Sequence, residues 1–219
     1  FHVSDEPSLE QYEVYKKRAD LIAEIFPGFK VIDALSDIEF FDKGAVKYPI
    51  PSEDHVEDFV GKVDEFWTYY CCGQHNKNVP NRFFAMPSAR NRILGTLLYK
   101  YNATGFLQWG YNYWYSQLSK HEIDPFTVTD AGKAYPSGDA LVVYPGEDGQ
   151  PINSLRFKVF YDGLQDLAAM RLLESLVGRE KALEIAIQDD ELTFQKYPHG
   201  SSYLLALRER VNKAIKENI

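Results

Sequence analysis

The sequence predicts an α/β fold in which helices cover a parallel sheet. Short apolar and aromatic runs of strand length occur at residues 30–35, 45–48, 66–71 and 105–110. Segments with apolar residues at helical spacing lie before and between them, at residues 8–26, 54–63 and 89–101. Such alternation is typical of parallel sheets with helical crossovers. At 219 residues and 45% hydrophobic content, the chain can bury a core.

The first helix has a clear start and stop. Ser8 to Gln11 has the pattern of a capping box, and Pro27-Gly28 ends the helical spacing. Further along, residues 118–138 are polar and rich in turn residues, which indicates either a functional surface loop or a poorly ordered segment. Residues 140–144 and a return toward Ile152 predict a hairpin, and helices are expected at residues 154–177, 179–187 and 202–215.

Charge and composition exclude several classes of partner. The net charge is −8, and the basic residues are scattered among acidic ones, so no nucleic acid is expected as a partner. No apolar run is long enough to span a bilayer, so no membrane is expected either. Cys71 and Cys72 are adjacent, which excludes a disulfide framework and lacks the spacing of a metal site.

Asp5 and Glu6 are the first candidates for chemistry. They follow a segment that resembles the end of a strand and precede the capped helix, which is where parallel α/β folds place active-site side chains. The alternative is that both carboxylates are a solvated first helical turn, favoured by the helix dipole.

Aromatic residues cluster where two later strands end. Aromatics make up 15% of the chain, and a mixture of ring faces and hydrogen-bonding groups suits a polyhydroxylated ligand. An aromatic-rich core, with the tryptophans buried and their indole groups hydrogen-bonded, is the alternative. The candidate substrate contacts are Tyr69, Trp109, Tyr111, Asn112 and Trp114.

Several short motifs follow one another along the chain. They are Asp-Glu-Pro at residues 5–7, Trp-x-Tyr-x-Cys at 67–71, Pro-Asn-Arg-Phe at 80–83, Arg-Asn-Arg-x-Leu-Gly at 90–95, Gly-Phe-Leu-x-Trp-Gly-Tyr-Asn-x-Trp at 105–114, Gly-Asp-x-Leu-Val-x-Tyr-Pro-Gly at 138–146 and Asp-Gly-Leu-Gln-Asp at 162–166. Their order resembles the C-terminal catalytic region of glycoside hydrolase family 123, also called domain of unknown function 4091. The resemblance covers about residues 1–177.

The resemblance implies a fold: the C-terminal portion of a (β/α)8 barrel with a C-terminal helical extension. Residues 1–115 would form the partial barrel that carries the catalytic pair, residues 116–177 would complete the catalytic region, and residues 178–219 would form the extension. A full barrel has eight strands, of which this chain offers about five. We therefore expect a piece of a longer polypeptide, whose open sheet edge another copy would cover by self-association.

The resemblance also implies a function: a retaining, substrate-assisted exo-β-N-acetylgalactosaminidase acting on N-acetylated amino-sugar glycans without metal or organic cofactor. Glu6 would be the general acid and base, and Asp5 would orient the 2-acetamido group that attacks the anomeric carbon to give an oxazoline. Tyr69 would donate a hydrogen bond to the acetamide. A bacterial source is expected, and the compartment stays open between cytoplasm and secretion.

Two other functions stay open, as does the alternative that this chain is a fragment without activity in the absence of an N-terminal half. The chain could be a carbohydrate-binding or scaffold domain without activity, although a pure binder has no need of two adjacent carboxylates. It could also belong to an ordinary retaining glycosidase, which requires a separate carboxylate nucleophile. Asp33 and Glu39 are poor candidates for that nucleophile, because only their closeness to strands marks them.

Overall fold

The computed structural model describes residues 1–188 and 191–219. They form two compact units, one of Phe1–Tyr70 with Asn102–Gln108 and the other of Cys71–Tyr101 with Trp109–Ile219. Strands and helices alternate along the chain, which confirms the predicted mixed α/β class. The functional division at residues 115 and 177 stays a prediction. Within the described residues, no helix has the length and apolar character needed to cross a membrane.

The sheet of the first unit follows the order of the sequence. β1 pairs with β2 and β3 pairs with β4, and both pairs are parallel. A parallel bridge between Ser52 and Tyr69 links the chain just after β2 to β3. The strands are β1 (Ile32–Ala34), β2 (Tyr48–Ile50), β3 (Trp67–Tyr70) and β4 (Gly105–Gln108).

The segment before Asp5 lies along β1 without forming a regular strand. Backbone hydrogen bonds join it to β1 near both of its ends. Between them, the Asp33 carboxylate accepts hydrogen bonds from the amides of Val3, at 2.8 Å, and Ser4, at 3.2 Å. Because a side chain takes the place of the ladder there, the predicted first strand is absent as a regular strand.

The helices of the first unit enclose a small core. The Ser8 capping box is present and leads through Leu9–Gln11, a 3₁₀ turn, into α1 (Tyr12–Ile25), as predicted. A second short helix, α2, spans Glu39–Asp42. The core cluster contains Tyr15, Ala19, Leu35, Phe40, Ala45 and Val46.

Two predicted elements differ from the structure for local reasons. Residues 45–46 do not start a strand, because their amides bond to the carbonyl oxygen of Phe40 and close the turn after α2. The helix expected at residues 54–63 is only a 3₁₀ helix, Glu53–Asp58. Gly61 follows it with a φ of 76°, a left-handed conformation that does not continue a helix.

The second unit is built around one long helix. α5 packs against α3, α4, α6 and α7. The helix predicted at residues 89–101 is divided at Ile93 into α3 and α4, and the predicted hairpin is present as an antiparallel pair, β5 and β6. The elements are α3 (Ser88–Arg92), α4 (Leu94–Lys100), β5 (Val143–Pro145), β6 (Pro151–Asn153), α5 (Leu155–Val177), α6 (Arg179–Ile187) and α7 (Ser201–Asn218), with 3₁₀ turns at Cys72–Gln74 and Gln117–Ser119.

Two glycines let α4 and α5 approach closely. A Cβ atom on Gly95 would lie 1.8 Å from the carbonyl oxygen of Gly163. One added to Gly163 would lie 2.8 Å from the carbonyl oxygen of Arg92. Both positions therefore exclude any side chain, which accounts for the glycines in the motifs at 90–95 and 162–166.

A buried carboxylate joins three helices next to this crossing. Asp166 on α5 is fully buried and accepts hydrogen bonds from Arg92 on α3, at 2.7 and 3.1 Å. Arg208 on α7 donates to the same carboxylate at 2.9 Å. Both arginines are thus paired with the Asp166 carboxylate. This network of three side chains stabilises one relative arrangement of α3, α5 and α7.

Asp166→Asn is expected to lower the free energy of unfolding by about 3 kcal/mol or more, because it leaves two arginines facing a neutral amide. Asp162→Asn is the matched control, since Asp162 lies one turn earlier on α5 and is exposed; we expect a change within about 0.5 kcal/mol. Urea unfolding followed by circular dichroism measures both. Equal stabilities of the two variants would contradict this account of the network.

Candidate active site

Asp5 and Glu6 lie next to the carboxyl end of β1. The amide of Glu6 donates to the carbonyl oxygen of Ala34, the last residue of β1, at 2.9 Å. Both side chains are exposed. Glu6 has a φ of 44°, in the left-handed region that residues other than glycine seldom adopt. Such a conformation costs about 1–3 kcal/mol, and costs of this kind are concentrated at functional sites.

Tyr69 brings the end of β3 to the same place. Its ring is buried, and its hydroxyl donates to Oε1 of Glu6, although the two residues are 63 positions apart. The carboxyl ends of neighbouring parallel strands meet at one edge of a sheet, which explains the contact. The predicted catalytic residue Glu6 and the predicted substrate contact Tyr69 are therefore neighbours.

Asp33 holds the segment that carries Asp5 and Glu6, although its place in the sequence marked it only as a poor nucleophile candidate. Besides the amides of Val3 and Ser4, its carboxylate accepts a hydrogen bond from the Tyr15 hydroxyl at 2.6 Å. Burial raises the pKa of Tyr15, and the nearby Asp33 carboxylate raises it further. A lone carboxylate inside an apolar strand run, as at residues 30–35, was the available signal, because such a group must be satisfied by donors.

In the second unit, Trp109 is fixed by a buried arginine and a buried carboxylate. Arg82 donates to the carbonyl oxygens of Trp109, at 2.8 Å, and Asp139, at 2.6 Å. The indole Nε1 of Trp109 donates to Oδ2 of Asp139 at 3.1 Å. Burial raises the pKa of Asp139, while the Arg82 guanidinium acts in the opposite direction. These roles of Arg82 and Asp139 were missed from sequence, although both residues stand in the motifs quoted above.

The other predicted contacts lie along the same extended segment. Tyr111 is exposed, and its ring meets Phe157 edge-on at 5.9 Å. Asn112 is also exposed and forms a backbone bridge with Leu141. The indole of Trp114 donates to a backbone carbonyl at 3.0 Å, so its N–H group is already satisfied by the protein. These residues stay predicted sugar contacts.

Two adjacent carboxylates lie beside the carboxyl end of β1, and one of them accepts a hydrogen bond from a tyrosine hydroxyl, as expected for a glycoside hydrolase catalytic domain. The family model described as the catalytic domain of glycoside hydrolase 123 matches residues 1–173. The chain therefore belongs to glycoside hydrolase family 123, which confirms the resemblance found in its motifs.

The fold is also similar to that of a solved relative. This is a family 123 glycoside hydrolase from Clostridium perfringens, studied structurally for glycolipid glycan hydrolysis, with a TM-score of 0.66 and 16% identity. The match covers 98% of this chain and 39% of that chain, so the chain spans well under half of the relative's length. At this identity the likeness establishes the fold alone. No curated protein gives a significant match.

Tyr15→Phe is expected to lower the free energy of unfolding by about 1–3 kcal/mol, because it leaves one oxygen of the buried Asp33 without its donor. Tyr12→Phe is the control on the same helix: the Tyr12 hydroxyl donates to the Lys43 carbonyl at an exposed position. Denaturant unfolding measures stability, and amide hydrogen exchange at Val3 and Ser4 measures the local effect. Unchanged exchange in Tyr15→Phe would refute the positioning role of Asp33.

Proposed function

We propose that the chain is the C-terminal catalytic portion of a retaining, substrate-assisted exo-β-N-acetylgalactosaminidase that acts on N-acetylated amino-sugar glycans. The single observation that carries the proposal is the pair Asp5 and Glu6, beside the carboxyl end of β1 in a member of glycoside hydrolase family 123. The contact from Tyr69 to Glu6 supports it, because it brings a tyrosine hydroxyl from the end of β3 to the pair.

Glu6 is the general acid and base in this scheme. As the C1–O bond breaks, the glycosidic oxygen takes the Glu6 proton, and the acetamide oxygen of the substrate bonds to C1. Water then attacks C1 of the resulting oxazolinium ion, which keeps its N–H proton beside Asp5, and passes a proton to the Glu6 carboxylate. The bond from C1 to the acetamide oxygen breaks, which restores the acetamide and retains the configuration. The exposed side chain of Glu6 is accessible for both transfers.

Asp5 is the orienting carboxylate. The acetamide N–H becomes more acidic as its carbonyl oxygen attacks, so a carboxylate beside it stabilises the developing positive charge. Asp5 is exposed and makes no hydrogen bond or ion pair with any described residue, which leaves its oxygens available for that N–H.

The contacts of Asp33 and Glu39, the two nucleophile candidates named from sequence, argue against an ordinary retaining mechanism that uses either of them. Asp33 is fully buried and already accepts three hydrogen bonds. Glu39 is exposed on α2 and pairs with Lys43. Neither is placed like a nucleophile, and substrate assistance requires none.

The order of the strands supports the proposal that the whole polypeptide closes a (β/α)8 barrel. Successive parallel strands in sequence order are found in barrels, whereas doubly wound sheets reverse their order at a switch point. Trp67 and Tyr69 share one face of β3, since side chains alternate along a strand. On that face, Ile32, Tyr48 and Trp67 line an apolar cavity of about 130 Å³. Strands outside this chain, or a second copy, would cover it.

Glu6→Gln in the full-length protein is expected to reduce kcat for a chromogenic N-acetyl-β-galactosaminide by about 10²–10⁴-fold, the usual contribution of a general acid and base. Asp5→Asn is expected to reduce it by about 10²–10³-fold, as for loss of one electrostatic contact to the transition state. Glu10→Gln, an exposed carboxyl that accepts from the Ser8 hydroxyl, is the matched control. Undiminished turnover in Glu6→Gln would move the catalytic site elsewhere.

The substrate's acetamide provides a separate test of the mechanism. We expect kcat/KM for the corresponding β-galactoside, which has a 2-hydroxyl, to be lower by at least about 10³-fold, because the intramolecular nucleophile is missing. Comparable rates on the two substrates would indicate a carboxylate nucleophile. Binding of N-acetylgalactosamine without turnover of either substrate would favour the binding-domain alternative.

A further inference from the structure

We propose that Asp139 is a positioning residue for carbohydrate binding, which it serves by fixing the ring plane of Trp109 so that a sugar can pack on the indole. The inference rests on the proposed function in one respect only, namely that the ligand is an N-acetylated sugar. Asp139 and Trp109 both lie in the second unit, and the proposal concerns that unit alone.

Trp109 is held from two sides. Its indole N–H donates to Asp139, and its carbonyl oxygen accepts from Arg82, which also donates to the Asp139 carbonyl. One guanidinium thus ties together the backbones of the two residues whose side chains meet. A tryptophan with both its backbone and its indole N–H restrained presents its ring in a single orientation.

The chain at Gly110 approaches the chain at Asp139 and Ala140 closely. Gly110 has a φ of 60°, and a Cβ atom there would lie 2.8 Å from the Asp139 carbonyl oxygen and 2.9 Å from Cα of Ala140. Only glycine fits both the conformation and the distance. This close approach brings the buried carboxylate of Asp139 within hydrogen-bonding distance of the indole of Trp109, the residue before Gly110.

Two tyrosines pack against the Trp109 ring, which remains partly exposed. Tyr135 meets Trp109 at 81° with the ring centres 5.2 Å apart, and Tyr113 meets it at 45° and 5.8 Å. Trp109, Tyr113 and Tyr135 are all partly exposed, whereas Asp139 is completely buried. A fixed aromatic ring with its polar atom satisfied from within suits packing against the apolar face of a sugar.

The experiment is a double-mutant cycle on binding of N-acetylgalactosamine by the full-length protein, measured by titration calorimetry. Asp139→Asn is expected to raise Kd about fivefold to tenfold, since a neutral amide accepts the indole hydrogen bond more weakly. Trp109→Phe is expected to raise Kd about tenfold or more. Because Asp139 acts through the indole, the double variant should match Trp109→Phe within about twofold.

The control is Asp130→Asn. Asp130 lies in the same loop and accepts backbone hydrogen bonds from Gly132 and Lys133, without contact to Trp109. The Kd of the Asp130→Asn variant for N-acetylgalactosamine should stay within about twofold of that of the unsubstituted protein, because this substitution alters contacts of the loop and leaves the Trp109 indole hydrogen bond in place. A rise in Kd equal to that of Asp139→Asn would overturn the proposal in favour of a general loop effect.

A second readout separates positioning from a purely structural role. Asp139→Asn should change the tryptophan fluorescence of the protein, and the same substitution in the Trp109→Phe background should leave the emission unchanged. Where turnover is measurable, KM should rise in the Asp139→Asn variant, while kcat should stay within about threefold of that of the unsubstituted protein. Additive losses in Kd, or an emission change that persists without Trp109, would overturn the proposal.

Tyr135→Leu tests the same idea if Asp139→Asn proves too unstable. Tyr135 is partly exposed, and its loss removes the ring that meets Trp109 at a right angle. We expect a rise in Kd of about threefold or more that disappears in the Trp109→Phe background. Unchanged binding in Tyr135→Leu, or no binding by the unsubstituted protein, would overturn the inference. If the unsubstituted protein hydrolyses no substrate but the variants show the expected changes in Kd, the result would count against the proposed enzymatic function alone.

Discussion

The buried carboxylate of Asp33 is the interaction on which the candidate site depends. It takes the place of a strand ladder for the chain that precedes Asp5, and it ties that chain both to β1 and to α1 through Tyr15. Burying an ionised group without such donors would be unfavourable by several kcal/mol. The full set of donors is therefore a condition for the segment to lie where it does, and the position of the candidate pair, Asp5 and Glu6, follows from it.

The second unit uses the same physical principle with the charges reversed. Arg82 and Arg156 are directed at backbone carbonyls: Arg156 donates to those of Gly138, at 2.6 Å, and Leu141, at 2.7 Å. These contacts restrain a long loop that has little regular structure of its own. An arginine can satisfy several carbonyls at once because its donors form a rigid planar fork.

Local signals predicted much of the fold and part of the site. The capping box at Ser8 and the helix after it were readable because they depend on neighbours in sequence. The division of α3 from α4 at Ile93 was not, because the helical stripe of apolar residues continues across it. Contacts such as those of Tyr69 with Glu6, or of Asp139 with Trp109, join residues far apart in sequence, and no local pattern specifies such pairs. The family resemblance gave Asp5 and Glu6 their predicted roles, whereas the residues that hold them in place are recognised only in the structure.

The left-handed backbone of Glu6 has a consequence for reading related sequences. Glycine adopts such a conformation without steric cost, so replacing Glu6 by glycine would relieve the strain at this position. Under the proposed function, the need for its carboxyl group keeps a glutamate there, although it is the less stable choice for the fold. Relatives that have lost the need for this carboxyl are therefore free to drift toward glycine. The identity of this one residue would then distinguish chains that retain the chemistry from those that retain only the architecture.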